Sequence, residues 1–392
     1  MVIQLPQGGA EMINKKTFLC LVLSVILTAG LALHPFCAEL SGQYDAKSVI
    51  LIEAQTGRVL YEDNADEALP PASVTKIMTL LLICEALDRG DIKLTDEVPV
   101  SEYAASMGGS QVFLKVGEKI TVDEMLKSIT VASANDCAVA MAEFIAGSEA
   151  SFVSKMNERA EQLGMTNTCF ENPTGLDDTV KKHLTSARDI AIMSRELLKH
   201  SLIFDYTTIW MDTIRNGQFG LTNTNKLIRF YEGANGLKTG STSKAKFCIS
   251  ATAKRDGMQL ICVVMASSTS SARNECAKLL LDFGFANYGM VNYSPAALPP
   301  VCVKGAVTDE VSVSHTGFST LLGKSDTKKV TYEIDVPETL TAPVTKGQKV
   351  GSIKYILNGE VIGQSDITAD DDAPRIGFFQ MLTYMIRSFL FS

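Results

Sequence analysis

Three short motifs constrain the fold of this 392-residue chain most, because each requires a different kind of backbone. Ser73-Val-Thr-Lys76 begins a long apolar stretch of helical character, in which side chains three residues apart share a face. Ser133-Ala-Asn135 interrupts a second helical stretch, and Lys238-Thr-Gly240 opens a β-rich segment. The second motif follows the first by 60 residues and the third follows the second by 105 residues. A helix, an interhelical turn and a strand can therefore meet at one cleft, and we predict a fold of the α+β class.

The first motif offers a serine nucleophile with a lysine base. No G-x-S-x-G nucleophile elbow occurs in the chain, so an elbow-type serine-histidine-acid triad is not indicated. S-x-x-K alone is a weak signal, because it occurs three more times, but S-x-N and K-T-G each occur once. Three motifs in order are far less probable by chance than one. The alternative is that Ser133 and Asn135 only cap a helix and that Lys238 is a solvated strand residue.

Composition excludes several other classes of protein. The chain has 36 basic and 44 acidic residues, a net charge of −8, which argues against a nucleic-acid partner held by phosphate contacts. Only four histidines are present and no H-x-x-H or C-x-x-C pair occurs, so metal-ligand spacing is absent. We therefore expect no metal and no organic cofactor. A hydrophobic fraction of 46% with 20% charged residues is that of an ordinary globular protein.

Hydrophobic periodicity and turn residues divide the chain into predicted elements. Two β-rich runs around Thr56-Gly57 predict a hairpin over residues 48–64, and residues 247–267 predict a longer hairpin. After residue 292, short β-like runs separated by Pro, Gly and Asn indicate a small all-β domain. Helices are predicted over residues 71–87, 122–145 with a break at the second motif, 152–163, 186–200 and 272–285.

Together, the three motifs resemble those of low-molecular-weight penicillin-binding proteins, the serine-type D-alanyl-D-alanine carboxypeptidases. The resemblance covers roughly residues 40–365 and includes SVILIEAQTGRVLYEDNAD, MNERAEQLGMTNTCFENPTGLDD and TAPVTKGQKVGSIKYILNGEVIG. It implies a β-lactamase/transpeptidase-like domain, in which helices flank an antiparallel sheet, followed by an accessory β-domain. One departure is Thr174, which precedes Gly175 where some members have histidine.

The resemblance implies that Ser73 attacks the D-Ala-D-Ala bond of a peptidoglycan pentapeptide, releases the last D-alanine and forms an acyl-enzyme that water hydrolyses. β-Lactam antibiotics would acylate the same serine. Lys76 is the expected base, but at an unperturbed pKa near 10.4 only about 0.04% of it is neutral at pH 7. We expect burial and the second ammonium group of Lys238 to lower its pKa.

The remaining site residues take their roles from the same resemblance. Ser133 would pass a proton to the leaving amine, and Asn135 would hold the amide of the acyl side chain. The terminal carboxylate of the substrate would be bound by Lys238 and Thr239, with Arg273 near this end. The oxyanion hole would consist of the backbone N–H groups of Ser73 and Ser241, and Gly240 belongs to the same substrate-binding strand.

The N-terminal segment predicts export. Lys15 and Lys16 precede an uncharged run of 17 residues, shorter than the roughly 20 needed to span a bilayer. Residues 1–38 are therefore predicted to be a cleaved signal peptide, and an uncleaved transmembrane anchor is the alternative. We expect the protein at the outer face of the cytoplasmic membrane or in the cell wall.

The C-terminal segment predicts membrane association. Residues 375–392 form an amphipathic helix if helical, with an apolar part of 16 residues that would be about 24 Å long. That length suits the membrane interface better than a span, and docking on its own domain or on a partner is the alternative. The predicted domains are a catalytic domain (39–290), an accessory β-domain (291–366) and an acidic linker (367–374) before this helix.

Two other functions stay open at this point. One is a β-lactamase-like hydrolase, although a freely diffusing drug hydrolase needs neither an accessory β-domain nor a terminal helix. The other is a non-catalytic protein that binds the cell wall or senses β-lactams, against which the three intact motifs count.

Overall fold

The computed structural model describes residues 40, 44–178, 180–294 and 297–383. The predicted signal peptide and residues 384–392 of the predicted C-terminal helix lie outside these residues. The helices with their bounds are α1 (Lys76–Asp88), α2 (Glu102–Ala105), α3 (Val122–Lys127), α4 (Asn135–Ala146), α5 (Glu149–Gln162), α6 (Ala187–Leu197), α7 (Ile203–Thr207), α8 (Leu227–Phe230) and α9 (Ser270–Asn287). The strands are β1 (Ser48–Glu53), β2 (Val59–Asp63), β3 (Glu97–Pro99), β4 (Lys119–Thr121), β5 (Met211–Ile214), β6 (Phe219–Thr222), β7 (Ala234–Thr242), β8 (Lys246–Arg255), β9 (Met258–Ser267), β10 (Tyr288–Tyr293), β11 (Val301–Lys304), β12 (Glu310–Val311), β13 (Val313–His315), β14 (Phe318–Gly323), β15 (Thr331–Asp335), β16 (Thr339–Thr341), β17 (Lys349–Leu357) and β18 (Glu360–Ala369).

A five-stranded antiparallel sheet in the order β2-β1-β9-β8-β7 is the framework of the N-terminal part. The near-continuous apolar sequences of β1 and β9 are buried along almost their whole length, as expected for strands covered by helices. Helices α6 and α9 both pack against this sheet. The predicted hairpins over residues 48–64 and 247–267 are present, and the α+β class is confirmed.

The remaining helices form the other half of the main hydrophobic core. Helix α1 is buried on nearly every side, which explains why its sequence is apolar all round rather than amphipathic. It packs against α4, α5 and α6. The helical stretch predicted over residues 122–145 is divided into α3, a π-turn over Ser128–Ala132, and α4. The break falls at Ser133, as the polar second motif indicated.

The C-terminal part is all-β, as predicted. Strands β13-β18-β17-β15 form one sheet and β12-β11-β16 another, in which β11 and β16 are parallel. Ile353, Tyr355 and Ile367 are fully buried in the core of this part, and the ring of Phe318 stacks on Tyr355 with centroids 4.6 Å apart.

The structure places two domain limits differently from the prediction. Strand β10 continues directly from α9, pairs with β14 and crosses the predicted limit between residues 290 and 291. The predicted acidic linker is also paired: β18 ends at Ala369, and the bridges Val344–Ala373 and Ala306–Arg375 follow. Because Ala369 and Ala373 are buried while Asp371 and Asp372 are exposed, the acidic stretch belongs to the β-rich part rather than to a free linker.

The described end of the chain, residues 378–383, is helical and exposed. Among the described residues, no single helix has the length and hydropathy of a membrane span, and only α4 and α5 pass that test as a pair, which is bent by 85°.

Candidate active site

The first motif forms a tight turn rather than the first turn of an α-helix. Ala72–Thr75 is a 3-10 turn, and α1 begins at Lys76. Ala72 has a φ of +49°, a left-handed conformation that is uncommon for a residue with a Cβ atom. The turn leaves the Ser73 side chain partly exposed while the Lys76 side chain is fully buried below it. The sequence prediction of a helix from residue 71 is therefore wrong by one turn.

The side-chain nitrogen of Lys76 connects three parts of the site. Its Nζ lies 3.0 Å from Ser73 Oγ, and it donates to Asn135 Oδ1 at 2.6 Å and to the carbonyl oxygen of Thr174 at 2.8 Å. A neutral amine can make all three contacts, because it donates its two hydrogens to the oxygens of Asn135 and Thr174 and accepts from the Ser73 hydroxyl. The first of these contacts is the i, i+3 pair that the motif predicts. The second joins the first motif to the second, so both meet at one lysine.

Burial and a neighbouring charge hold the pKa of Lys76 well below its ordinary value. Removal from water is the larger cause, and the charge of Lys238 adds to it. The Asp136 carboxylate opposes both by raising the pKa of Lys76. That carboxylate is buried and accepts hydrogen bonds from the backbone N–H groups of Val112 and Leu114 at 3.1 and 3.0 Å. The balance favours a neutral amine beside Ser73, which is the state a general base needs.

The second motif places a hydroxyl and an amide at the cleft. Ser133 follows the π-turn in a left-handed conformation with a φ of 63°, which turns the chain into α4. Its Oγ is buried and makes no hydrogen bond within the described part of the chain. Asn135 opens α4, and its Nδ2 donates to the carbonyl oxygen of Gly108 at 2.7 Å.

The third motif lies in the middle of the edge strand β7, which begins at Ala234, before the predicted start of the β-rich segment at Lys238. At Gly240 the strand passes so close to the Ser73 turn that a Cβ atom would be 2.8 Å from Ser73 N and 2.9 Å from the oxygen of Pro71. Only glycine allows this approach. Ser241, the next residue of the strand, lines the cleft, and the neighbouring Thr239 hydroxyl donates to Thr224 Oγ1 at 2.8 Å.

Lys238 and Arg273 make the cleft cationic at one end. The fully buried Lys238 Nζ donates to the carbonyl oxygen of Thr239 at 2.8 Å. Burial lowers the pKa of Lys238 to about 7, and the charge of Arg273 adds to the effect. Burial also lowers the pKa of Arg273 to about 10. Two cations held in a poorly solvated recess are stabilised by an anionic group, so this end is suited to a carboxylate.

The cleft between these elements has a volume of about 220 Å³. Of the predicted site residues, Ser73, Ser133, Thr239, Gly240, Ser241 and Arg273 line it, whereas Lys76, Asn135 and Lys238 are almost fully buried around it. Among the described residues, no group of His, Cys, Asp or Glu is arranged to hold a metal ion.

Sequence reasoning missed part of this lining. The additional lining residues are Ser110, Thr224, Lys226, Phe247, Ser270 and Asn274. Ser270 lies three residues before Arg273 on α9, so helical spacing from Arg273 could have found it, whereas Asn274 directly follows Arg273 and accepts from its guanidinium group. Nothing in the sequence marks Ser110, which reaches the site because its carbonyl oxygen accepts the N–H of Asn135 at 2.7 Å.

This arrangement is suited to transferring an acyl group to Ser73 from a ligand with an anionic end. Lys76 Nζ lies beside the Ser73 hydroxyl, and β7 passes next to the turn that carries this serine. The fold and site therefore define the class of serine acyl-transfer enzymes in which a lysine lies beside the serine.

Known proteins with similar sequences belong to the same class of enzyme, and they identify the family within it. The family model "D-alanyl-D-alanine carboxypeptidase" (peptidase S11) matches residues 36–269, and the model "Penicillin-binding protein 5, C-terminal domain" matches residues 303–375. The first match covers more than half of the chain. The chain belongs to the D-alanyl-D-alanine carboxypeptidase family S11, as its resemblance in sequence implied.

Similar proteins extend the match over most of the chain. D-alanyl-D-alanine carboxypeptidase DacF of Bacillus subtilis (strain 168) is 46% identical over 346 residues, which cover 86% of this chain and 88% of that protein. DacC of Escherichia coli (strain K12) is 34% identical and covers 86% of each chain. The crystal structure of penicillin-binding protein 5 from Haemophilus influenzae superposes with a TM-score of 0.69 at 29% identity, covering 88% of this chain and 100% of that one.

The chain is thus a serine-type D-Ala-D-Ala carboxypeptidase of the low-molecular-weight penicillin-binding class. The family acts on peptidoglycan, outside the cytoplasm.

Proposed function

We propose that Ser73 is the nucleophile that removes the terminal D-alanine from peptidoglycan pentapeptide stems. The observation that carries this proposal is the 3.0 Å contact between Ser73 Oγ and the buried Nζ of Lys76. A lysine whose pKa lies well below its ordinary value accepts the serine proton at neutral pH.

The reaction proceeds in two steps. Lys76 accepts the proton of Ser73 as Oγ attacks the carbonyl carbon of the D-Ala-D-Ala bond. The backbone N–H groups of Ser73 and Ser241 stabilise the oxyanion, each contributing about 3–4 kcal/mol by analogy with other acyl-transfer enzymes. Ser133 gives its proton to the departing amine and receives the one held by Lys76, so D-alanine leaves with the proton that Ser73 lost. Water then hydrolyses the ester, which releases the shortened peptide and restores the Ser73 hydroxyl.

Substrate binding uses both ends of the cleft. The terminal carboxylate binds Thr239, Lys238 and Arg273, where its charge raises the pKa of Lys238 above the value of about 7 in the free enzyme. At the other end, the Nδ2 group of Asn135, which uses one hydrogen for Gly108, offers its second hydrogen to the amide of the acyl side chain.

We also propose that β-lactams acylate Ser73. The support is a relative of known structure, penicillin-binding protein D2 of Listeria monocytogenes, which was determined in its ampicillin-bound form. It is 29% identical, with a TM-score of 0.57, and covers 61% of this chain and 97% of that one. If the protein were instead a β-lactamase, the acyl-enzyme formed with the drug would be short-lived, because a β-lactamase releases the hydrolysed drug rapidly.

The proposed location is the outer face of the cytoplasmic membrane. Residues 1–38 direct export, and residues 375–392 hold the enzyme at the membrane surface. The support for the second statement is the exposed apolar character of residues 378–383, in which Phe378 and Phe379 are 78% and 80% exposed.

The test compares Ser73→Ala with Ser243→Ala, an exposed serine of another S-x-x-K sequence. We expect the first to abolish both D-alanine release from a pentapeptide and covalent labelling by penicillin, and the second to leave both unchanged. Labelling that persists in the Ser73 variant would overturn the proposal. Rapid multiple turnover of penicillin would assign a β-lactamase, and wild-type labelling without D-alanine release would assign a non-catalytic β-lactam-binding protein.

A further inference from the structure

A loop that is distant in sequence from the three motifs packs against the turn Ala72–Thr75, which we call the nucleophile turn. We call residues 171–178 the clamp loop. Two of its carbonyl groups bind the first turn of α1, just after the nucleophile turn: the carbonyl oxygen of Thr174 accepts from Lys76, and that of Pro173 accepts from Thr79 Oγ1 at 2.7 Å. Gly175 lies so close that a Cβ atom there would be 1.8 Å from the carbonyl oxygen of Ala72. The nucleophile turn and the clamp loop are therefore packed as one unit.

His183 links the clamp loop to the nucleophile turn through a series of hydrogen bonds. Its Nδ1 accepts the backbone N–H of Glu171 at 2.9 Å, so the ring hydrogen is on Nε2. Nε2 then donates to Thr75 Oγ1 at 2.7 Å, and the Thr75 hydroxyl donates to the carbonyl oxygen of Ala72 at 2.8 Å. His183 is 3% exposed and Thr75 is fully buried, so water does not substitute readily for either partner.

This series of hydrogen bonds ends at Ala72, the strained residue of the nucleophile turn. Ala72 adopts its left-handed φ immediately before Ser73, and such a conformation persists only where surrounding contacts determine it. The Thr75 hydroxyl and Gly175 are the contacts that fix its carbonyl group.

We propose that His183 is a positioning residue for acyl transfer: as a neutral imidazole it orients the Thr75 hydroxyl, which holds the turn that aims Ser73 Oγ at Lys76. This inference rests on the proposed role of Ser73 and Lys76. It assigns His183 no contact with the substrate. Its effect is on the rate of acylation rather than on binding.

The surroundings of His183 keep its imidazole neutral. Burial lowers the pKa of His183 to about 4, and the charge of Lys76 acts in the same direction, while Glu171 and Asp177 oppose it. The ring of Phe170 packs against the imidazole with centroids 5.8 Å apart. Protonation at lower pH would place a hydrogen on Nδ1 facing the N–H of Glu171 and would break that bond.

The experiment uses a double-mutant cycle in the full chain. Thr75→Val removes the hydroxyl at constant shape, and His183→Asn removes the donor at Nε2. Thr75→Ser and His183→Gln keep the hydroxyl and the donor, respectively. His200→Gln is the matched control, because His200 also hydrogen-bonds a partner, Asp88, but lies outside the site. Thermal unfolding shows which variants are folded.

We expect Thr75→Val and His183→Asn each to lower kcat for D-alanine release and the rate of penicillin labelling about tenfold, the effect of losing one buried hydrogen bond. KM stays within about twofold, since binding is not affected. The double variant is no slower than Thr75→Val alone, because His183 acts through Thr75. The two conservative variants and the His200 control keep near-wild-type rates.

Unchanged rates in the folded Thr75→Val and His183→Asn variants would overturn the proposal. It would also be overturned if the fold-reduction in the double variant equalled the product of the two single reductions, because the residues would then act independently. If His183→Asn does not fold, the Thr75→Val and Thr75→Ser pair decides, since they differ in one hydroxyl. If the wild type labels at a residue other than Ser73, the proposed function fails instead. The Ser73→Ala variant separates the two failures.

Discussion

Two lysines of lowered pKa lie in this site, and geometry favours Lys76 as the proposed base. The pKa of Lys238 is lowered to about 7, so it too is partly neutral at neutral pH. Its Nζ, however, donates to the carbonyl oxygen of Thr239, whereas Lys76 Nζ contacts Ser73 Oγ. The proposed effect of Lys238 on Ser73 is therefore indirect: while protonated, Lys238 lowers the pKa of Lys76 through its charge.

Replacing Lys238 by glutamine should move the acid limb of the acylation pH profile to higher pH. Without the neighbouring charge the pKa of Lys76 rises, so a higher pH is needed to produce the neutral base. The measurement is the rate of labelling by penicillin across pH, and the position of the limb is read independently of the absolute rate. Lys238→Arg keeps a cation and should leave the limb at or below its wild-type position. A limb that does not move in Lys238→Gln would show that this charge does not tune Lys76.

At the residue scale, the sequence predicted which motif residues lie together, but it did not predict the residues outside the motifs that hold them in position. The structure brings Ser73, Lys76 and Asn135 into direct contact, and Gly240 borders them. Their catalytic and binding roles stay predictions. Thr174 shows the limit: it acts through its carbonyl oxygen, which every residue type possesses, so its identity carries no signal.

Secondary-structure elements could be predicted where a periodic hydrophobic pattern extends over many residues. The prediction failed where only a few residues form an irregular turn. The hairpins and the helices over residues 152–163, 186–200 and 272–285 are present with small shifts of their ends. The 3-10 turn before α1 was not predicted, because an apolar run with Pro-Ala-Ser at its start looks the same for both kinds of helix. Such turns are fixed by tertiary contacts, here the edge strand β7 and the clamp loop.

The close approach of β7 to the nucleophile turn leads to a second prediction. In Gly240→Ala, the new methyl group would meet the backbone nitrogens of Ser73 and Val74 at 2.8 and 2.9 Å, and backbone atoms cannot rotate away. The strand and the turn must separate, so we expect penicillin labelling to fall at least about 100-fold, the effect of a misplacement near 1 Å.

Gly220→Ala is the control for that variant, because Gly220 lies on the strand β6 and a Cβ atom there meets nothing within 4 Å. It should label at the wild-type rate. A folded Gly240→Ala enzyme with an unchanged rate would mean that β7 does not set the geometry around Ser73.

At the scale of the whole molecule, the β-rich part is joined to the catalytic part by continuous structure. Helix α9 runs directly into β10, which pairs with β14. Arg58, in the loop between β1 and β2, donates to the carbonyl oxygen of Leu321 at 3.2 Å and lies 5.8 Å from the ring centroid of Tyr288. Composition indicated a separate domain but not these contacts, because pairing between distant strands leaves no local signal.

The same pairing determines where the chain can be cut to test membrane association. Arg375 pairs with Ala306, and the N–H of Ile376 donates to the carbonyl oxygen of Gly305 at 2.9 Å, so the β-rich part extends to these residues. A variant that ends at Gly377 keeps this pairing and removes only the apolar segment. One that ends at residue 366 removes the buried Ala369 and Ala373 and should destabilise the β-rich part.

We expect the variant that ends at Gly377 to move from the membrane to the soluble fraction and to label with penicillin at the wild-type rate. Replacing Phe378 and Phe379 by aspartate in the full chain should have the same effect, because charge opposes insertion of the segment into the membrane interface. If both variants stay with the membrane, the C-terminal segment is not the anchor. N-terminal sequencing of the mature protein would then show whether residues 1–38 are retained, in which case an uncleaved N-terminal anchor holds the enzyme in place.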